Sequence, residues 1–392
     1  MPDPLAWIDD EAAAWSREGL GRRLVAWGGG TPGRLGWDER SVLNFGSNDY
    51  LGLASDPRVV EAACSAARAY GWGSGASPLV SGWREPHAEL AAALARFEGV
   101  EAVALFGSGF AANLGAVGAL IGPGDAAYLD RLDHASLVDG AKLAGARLRV
   151  YPHGDADRLA SILARDRGRF RRSLIATDGV FSMDGDLAPL ADLADLADRS
   201  GAMLLVDDAH GTGVFGPGGR GAAEACGLGA GRIPAKVGTL SKALGSSGGF
   251  VAGSRRLVDW LVNHARPLIY STAPPPAAAA AAARALEIAE AEPWRRSTLM
   301  ERAATFRAAL PGLGFPAVGP GGPIVPILVG EAGRAVDLAA RLLDRGCLVP
   351  AIRPPTVPRG TARLRVSLTA AHEPADVARL LAALGEVGPP GA

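Results

Sequence analysis

A chain of 392 residues, 48% hydrophobic and 21% charged, carries enough apolar material for a full core and enough length for a large domain with a smaller one. Its 40 basic and 41 acidic side chains leave a formal net charge of −1, so no overall basic field exists to recruit nucleic acid or an anionic membrane. Cys64, Cys226 and Cys347 show no CxxC spacing, which argues against a disulfide framework or zinc cluster and fits a reducing cytoplasm; an acidic N-terminus and the absence of an 18-residue apolar run argue against a signal peptide or membrane span.

In chain order, residues 1–45 read as a lead-in: a helix, a Gly-rich turn at Gly28-Gly29-Gly30 and Pro32-Gly33, and a short strand over 41–45. From about residue 85, short apolar runs alternate with helical patterns. Strands are expected at 102–106, 126–129, 148–151, 174–177, 203–206, 236–240 and 249–252, with helical stretches such as 187–198 between several of them. That alternation predicts an α/β domain whose mainly parallel sheet is covered on both faces, with sites at the carboxyl ends of its strands. Pro274-Pro275-Pro276 stops the preceding element and opens a helix through the alanine run 277–283. We therefore divide the chain into the lead-in 1–45, a large domain 46–285 and a small α+β domain 286–392. The small domain should hold helices at 296–310, 332–345 and 373–384 and strands at 324–329 and 363–368.

Three segments carry chemistry. In Gly107-Ser108-Gly109-Phe110-Ala111-Ala112-Asn113 a strand ends in glycines and a helix begins, a turn that offers backbone N–H groups and a positive helix end to an anion. The same residues match a dinucleotide fingerprint, with Asp130 at about the distance of a ribose-binding acid, and a tight strand–helix turn alone also accounts for the glycines. Met203-Leu204-Leu205-Val206 delivers Asp207, Asp208 and His210 at the end of a strand. A carboxylate there could face a buried cation, and about 3 Å from a pyridinium nitrogen it would favour the protonated ring by on the order of 5 kcal/mol before desolvation; helix capping and metal binding remain open. Thr239-Leu240-Ser241-Lys242 places two hydroxyls just before an amine, followed by glycines. Only three lysines occur in the chain, Lys142, Lys236 and Lys242. The remaining cations are Arg, which cannot serve as an amine nucleophile, so amine chemistry has few candidates.

Together with Ser47-Asn48-Asp49-Tyr50-Leu51-Gly52-Leu53, Gly73-Ser74-Gly75, Asp133-His134-Ala135-Ser136 and Gly179-Val180-Phe181-Ser182-Met183-Asp184-Gly185-Asp186, these segments resemble, in order and over nearly the whole chain, the α-oxoamine synthases of pyridoxal-phosphate (PLP) fold type I. The resemblance implies an aspartate-aminotransferase-like fold with a mainly parallel seven-stranded sheet and a small C-terminal α+β domain. It also implies Lys242 as the Schiff-base lysine, Asp207 on the pyridine nitrogen, His134 on the ring face, and Ser182 and His210 near the phenolic oxygen. Gly109, Phe110, Thr239 and Ser241 would hold the phosphate, and Thr272 would reach the phosphate of the second subunit in a homodimer. Ile352-Arg353-Pro354-Pro355-Thr356-Val357-Pro358, Arg363-Leu364-Arg365 and Ala370-Ala371-His372 resemble the biotin-pathway branch. That branch implies condensation of L-alanine with pimeloyl-CoA or pimeloyl-acyl carrier protein, with Arg365 clamping the amino acid carboxylate and Asn48, Arg22, Thr356 and His134 contacting substrate. Asp178, where some relatives carry Glu, and Ala76-Ser77-Pro78 depart from the family pattern and bear on acyl-chain preference. Alternatives are glycine acetyltransfer within the family and, from another class, a nicotinamide dehydrogenase built on the Gly107 turn.

Overall fold

The computed structural model describes residues 3–316, 319 and 321–389. They form two compact units, one of residues 51–182 with 186–297, the other of residues 1–50, 183–185 and 298–392.

The first unit is built on a seven-stranded sheet. Its spatial order is Ala102–Phe106, Gly249–Gly253, Ala235–Thr239, Met203–Asp207, Ser173–Asp178, Ala126–Asp130 and Arg147–Tyr151. All strands run in one direction except Gly249–Gly253, which is antiparallel to both neighbours. Strands 102–106, 126–130, 235–239 and 249–253 are buried along their whole length, as expected where both faces of a sheet are covered. One core cluster joins Phe106, Leu129, Leu174, Leu205, Val237 and Val251 of the sheet to Val117, Leu137 and Leu261 of the helices. The edge strand Arg147–Tyr151 is the more exposed one, and its arginines blunt an edge that would otherwise invite pairing.

Helix Gly109–Leu120 starts where Ser108 Oγ accepts the Ala111 N–H at 3.0 Å, an N-cap that satisfies one of the donors left over at a helix start. Helix Pro276–Ala291 has the proline start and alanine run of a strong helix former and packs on helices Pro57–Tyr70 and Glu85–Glu98. Helix Leu190–Ser200 begins three residues later than the pattern predicts, because Leu187 pairs across a bridge with Val180 and Pro189 precedes the first turn.

In the second unit, Arg34–Trp37 and Arg40–Asn44 form an antiparallel hairpin, and Cys347–Leu348 adds to Arg40–Asn44 in parallel, Leu43 opposite Cys347. A second sheet orders Ile324–Gly330, Ala362–Ser367 and Ala351–Ile352, all antiparallel. Helices Ala332–Asp344 and Pro374–Val387 bury Leu338, Leu342, Leu380 and Leu384. No helix among the described residues is long and apolar enough to cross a membrane.

Candidate active site

Five loops leaving the carboxyl ends of parallel strands converge on a cavity of about 220 Å³. It is lined by Ser108, Gly109, Phe110, Asn113, His134, Asp178, Val180, Ser182, Asp207, Ala209, His210, Thr239, Ser241 and Lys242. Nine residues expected at a cofactor site from the sequence are thereby brought together: Gly109, Phe110, His134, Ser182, Asp207, His210, Thr239, Ser241 and Lys242. Thr272 lies in the same unit, exposed, outside this lining. Arg22, Asn48, Thr356 and Arg365 belong to the other unit.

The amine of Lys242 stands 2.9 Å from His210 Nε2. Asp207, at the end of its strand, is 7% exposed; its Oδ1 accepts the Ala209 N–H at 3.0 Å and its Oδ2 the Asn113 side-chain amide at 2.6 Å. The next carboxylate points to the other side of the strand, as alternation requires. Asp208 accepts the Ala222 N–H at 2.9 Å and lies 3.2 Å from Lys236 Nζ, which also meets Glu98 at 2.7 Å. Burial opposes the Lys236 ammonium, yet Glu98 and Asp208 together raise its pKa. The two adjacent acids therefore part: Asp207 faces the cavity and Asp208 the interior.

Thr239 Oγ1 and Ser241 Oγ are 2.8 Å apart beside the start of helix Gly109–Leu120. Both glycine positions of this corner are close-packed. A Cβ on Gly109 would lie 3.3 Å from Thr239 Cβ, and one on Gly249 would lie 2.5 Å from Gly109 N and from Ser108 C and O. Across the cavity, His134 meets Phe110 edge to face at 6.1 Å between ring centroids, and burial lowers its pKa. Burial pushes Asp178 well above the usual carboxylate range, and Asp207 and Asp133 push it further.

Similarity to known proteins agrees with this arrangement. Residues 40–384 match the family model of class I and II aminotransferases. The 8-amino-7-oxononanoate synthase of Alkalilimnicola ehrlichii is 53% identical over 350 residues, covering 89% of each chain. The chain belongs to the 8-amino-7-oxononanoate synthase family. Among solved structures, the synthase of Francisella tularensis shares 29% identity at a TM-score of 0.76, over 88% of this chain and 97% of that one. Serine palmitoyltransferase from S. paucimobilis, in a structure with bound PLP, shares 30% identity at a TM-score of 0.91 over 98% of both chains. The backbone alone thus does not separate synthase from palmitoyltransferase; the 53% identity to the Alkalilimnicola ehrlichii synthase does.

The donor set fits the PLP on which this family's fold is built. An amine is present for the aldehyde, a buried carboxylate for the ring nitrogen, and N–H groups at a helix start with two hydroxyls for the phosphate. The nicotinamide alternative loses its acid: Asp130 is buried, binding His153 Nδ1 at 3.0 Å and the N–H groups of Leu132 and Gly154 at 2.8 and 2.7 Å.

In the other unit Arg365, 5% exposed, donates to Asn48 Oδ1 at 3.2 Å and Ser367 Oγ at 2.8 Å, and Tyr50 Oη donates to the same Asn48 oxygen at 3.1 Å. Arg22 donates to the Pro354 carbonyl at 3.0 Å, and the Thr356 N–H to that of Arg353 at 3.2 Å, so the N-terminal arginine and the 353–356 turn meet. Sequence reasoning placed Asn113 and Ser136 within motifs without giving them a role. Both line or buttress the site, and a polar side chain four residues beyond the start of an apolar helix was the available signal.

Proposed function

We propose that this chain condenses L-alanine with a pimeloyl thioester, on coenzyme A or acyl carrier protein, to give 8-amino-7-oxononanoate, carbon dioxide and the free thiol in biotin biosynthesis. The observation that carries this reading is the convergence of Lys242, His210, Asp207 and the 239–241 hydroxyls on one cavity, in a chain 53% identical to a synthase of that name.

PLP bound in the large domain would supply an electron-poor ring as a sink for the electron pair left when the amino acid Cα loses its proton. Lys242 would anchor that group through its amine and serve as general base for the Cα proton. Asp207 would hold a positive charge on the ring nitrogen. His134 would cover the ring face, while His210 and Ser182 would hold the phenolic oxygen. Gly109 and Phe110 N–H groups with Thr239 and Ser241 would bind the phosphate. Arg365 offers its planar fork to the amino acid carboxylate, with Asn48 as its companion, and Arg22 and Thr356 contact substrate. Carbon–carbon bond formation at the thioester carbonyl expels the thiolate; the alanine carboxylate then leaves as carbon dioxide and a proton returns to Cα.

A homodimer in the cytoplasm is part of the proposal. Ala273 N–H donates to Ala76 O at 3.0 Å, bringing exposed Leu79, Val80 (80%) and Tyr270 (71%) onto neighbouring segments, an apolar patch suited to a second copy whose phosphate Thr272 would reach.

Incubation with PLP, L-alanine and pimeloyl-CoA should yield 8-amino-7-oxononanoate by mass spectrometry. Faster turnover of glycine with acetyl-CoA would overturn the substrate assignment. Lys242→Ala should abolish the visible absorbance of the lysine-bound cofactor and lower kcat by at least about 10³-fold, and an unchanged kcat would remove the lysine from the mechanism.

A further inference from the structure

We propose that Asn113 and Ser136 are positioning residues that fix His134 as the imidazole carrying its single proton on Nε2. An ionised carboxylate only accepts hydrogen bonds, so the Asn113 atom 2.6 Å from Asp207 Oδ2 is the NH2 group, which fixes the orientation of the amide. The same NH2 group lies 2.8 Å from Ser136 Oγ and donates its second proton there. The Ser136 oxygen accepts from Asn113, and its own proton remains for His134 Nδ1 at 2.7 Å. The Ser136 backbone N–H points at that nitrogen too, at 3.3 Å, because His134 is the N-cap of helix Ala135–Leu143. Two donors on Nδ1 leave no room for a proton on it.

Asn113 is 1% exposed and Ser136 fully buried, so water does not compete for these bonds. Asn113 Oδ1 has no hydrogen-bond partner among the described residues. The amide thus spends its N–H groups on Asp207 and Ser136. Burial of His134 lowers its basicity and agrees with a neutral ring. The consequence for catalysis rests on the proposed function: His134 presents an Nε2–H donor to a substrate oxygen and leaves proton abstraction at Cα to Lys242.

Full-length protein labelled with 15N-histidine, with and without PLP, tests the assignment without turnover. His134 should show an unprotonated Nδ1 and a protonated Nε2. A protonated Nδ1 overturns the proposal, whichever amino acid the enzyme uses. In Ser136→Ala the Nδ1 resonance should move towards that of a nitrogen without a strong donor, while His210 stays in place; an unmoved Nδ1 signal refutes the hydroxyl's part. Asn113→Ala should weaken PLP binding about tenfold, the loss of one charge-assisted hydrogen bond to Asp207, with the thermal midpoint recorded as a control for folding. Unchanged PLP affinity in a folded Asn113→Ala protein refutes the Asp207 arm, and Ser136→Ala, nearly isosteric, keeps the test open should Asn113→Ala not fold.

Discussion

Asp207 and Asp208 are adjacent, chemically identical and employed in opposite ways. The first is held by Asn113 and the Ala209 N–H at the cavity, the second is buried against Lys236. Their amide variants should therefore separate function from stability. Asp207→Asn keeps the shape but removes the charge that would hold a protonated ring, an interaction on the order of 5 kcal/mol; kcat should fall at least about 100-fold with a nearly unchanged unfolding midpoint. Asp208→Asn removes one partner of a buried charge pair and should cost about 3 kcal/mol in urea unfolding while the folded fraction still binds PLP. The reverse pattern would exchange the two assignments. Lys236 shows why scarcity of lysine is not by itself a catalytic signal: one of the three lysines proves to be an interior counter-ion, and only contact with His210 in the cavity singles out Lys242.

At the scale of elements, the segment carrying Phe181 and Ser182 needs holding, because its few backbone bonds make it a loop. Phe181 N–H donates to Asp186 O at 2.9 Å, and Val180 bridges to Leu187. His153 ties it to the sheet: Nε2 lies 2.8 Å from Asp186, Nδ1 3.0 Å from Asp130 at a strand end, and the ring meets Phe181 edge to face at 4.4 Å. Hydrogen bonds to Asp130 and Asp186 push the His153 pKa up to about 10. A pKa raised on folding contributes stability that is complete below about 6.5 and disappears as pH rises through 10. Solvent reaches the ring, 26% exposed, and trims the effect to about 1–2 kcal/mol. His153→Gln should lose that much at pH 6, and denaturant titrations of the two proteins should converge above pH 10. A gap independent of pH would show that the contact acts through packing alone.

For the molecule as a whole, acid should weaken the unit that contains His372. His372 is 1% exposed against Phe45; its Nδ1 accepts the Thr369 N–H at 3.3 Å and its Nε2 donates to Asn44 O at 3.2 Å. Burial drives its pKa down to about 4. Here the unfolded chain takes up the proton first, so stability present above pH 6.5 is lost as pH falls towards 4, by on the order of 3 kcal/mol. His372→Gln, which keeps a donor and an acceptor but does not titrate, should flatten the unfolding midpoint over that interval. A variant as pH-sensitive as the parent over that interval would remove His372 from the acid loss; the loss from Asp56, whose pKa the Arg58 guanidinium holds at about 2, belongs to pH below 3.8.

The sequence by itself determined what local pattern and residue chemistry can carry. Apolar runs of strand length marked all seven strands of the large sheet, glycines marked the strand–helix turn at Gly107, and family motifs pointed to Lys242, Asp207, His134, Thr239 and Ser241. Tertiary structure decided the rest, because pairing across hundreds of residues leaves no local trace. Leu43 lies opposite Cys347 only once the chain has folded, and the short strand Ala351–Ile352 exists only beside Ala362–Ser367. The proton on His134 belongs to the same class: it follows from a carboxylate, an amide and a hydroxyl drawn from three separate elements, whose distances no spacing along the chain contains.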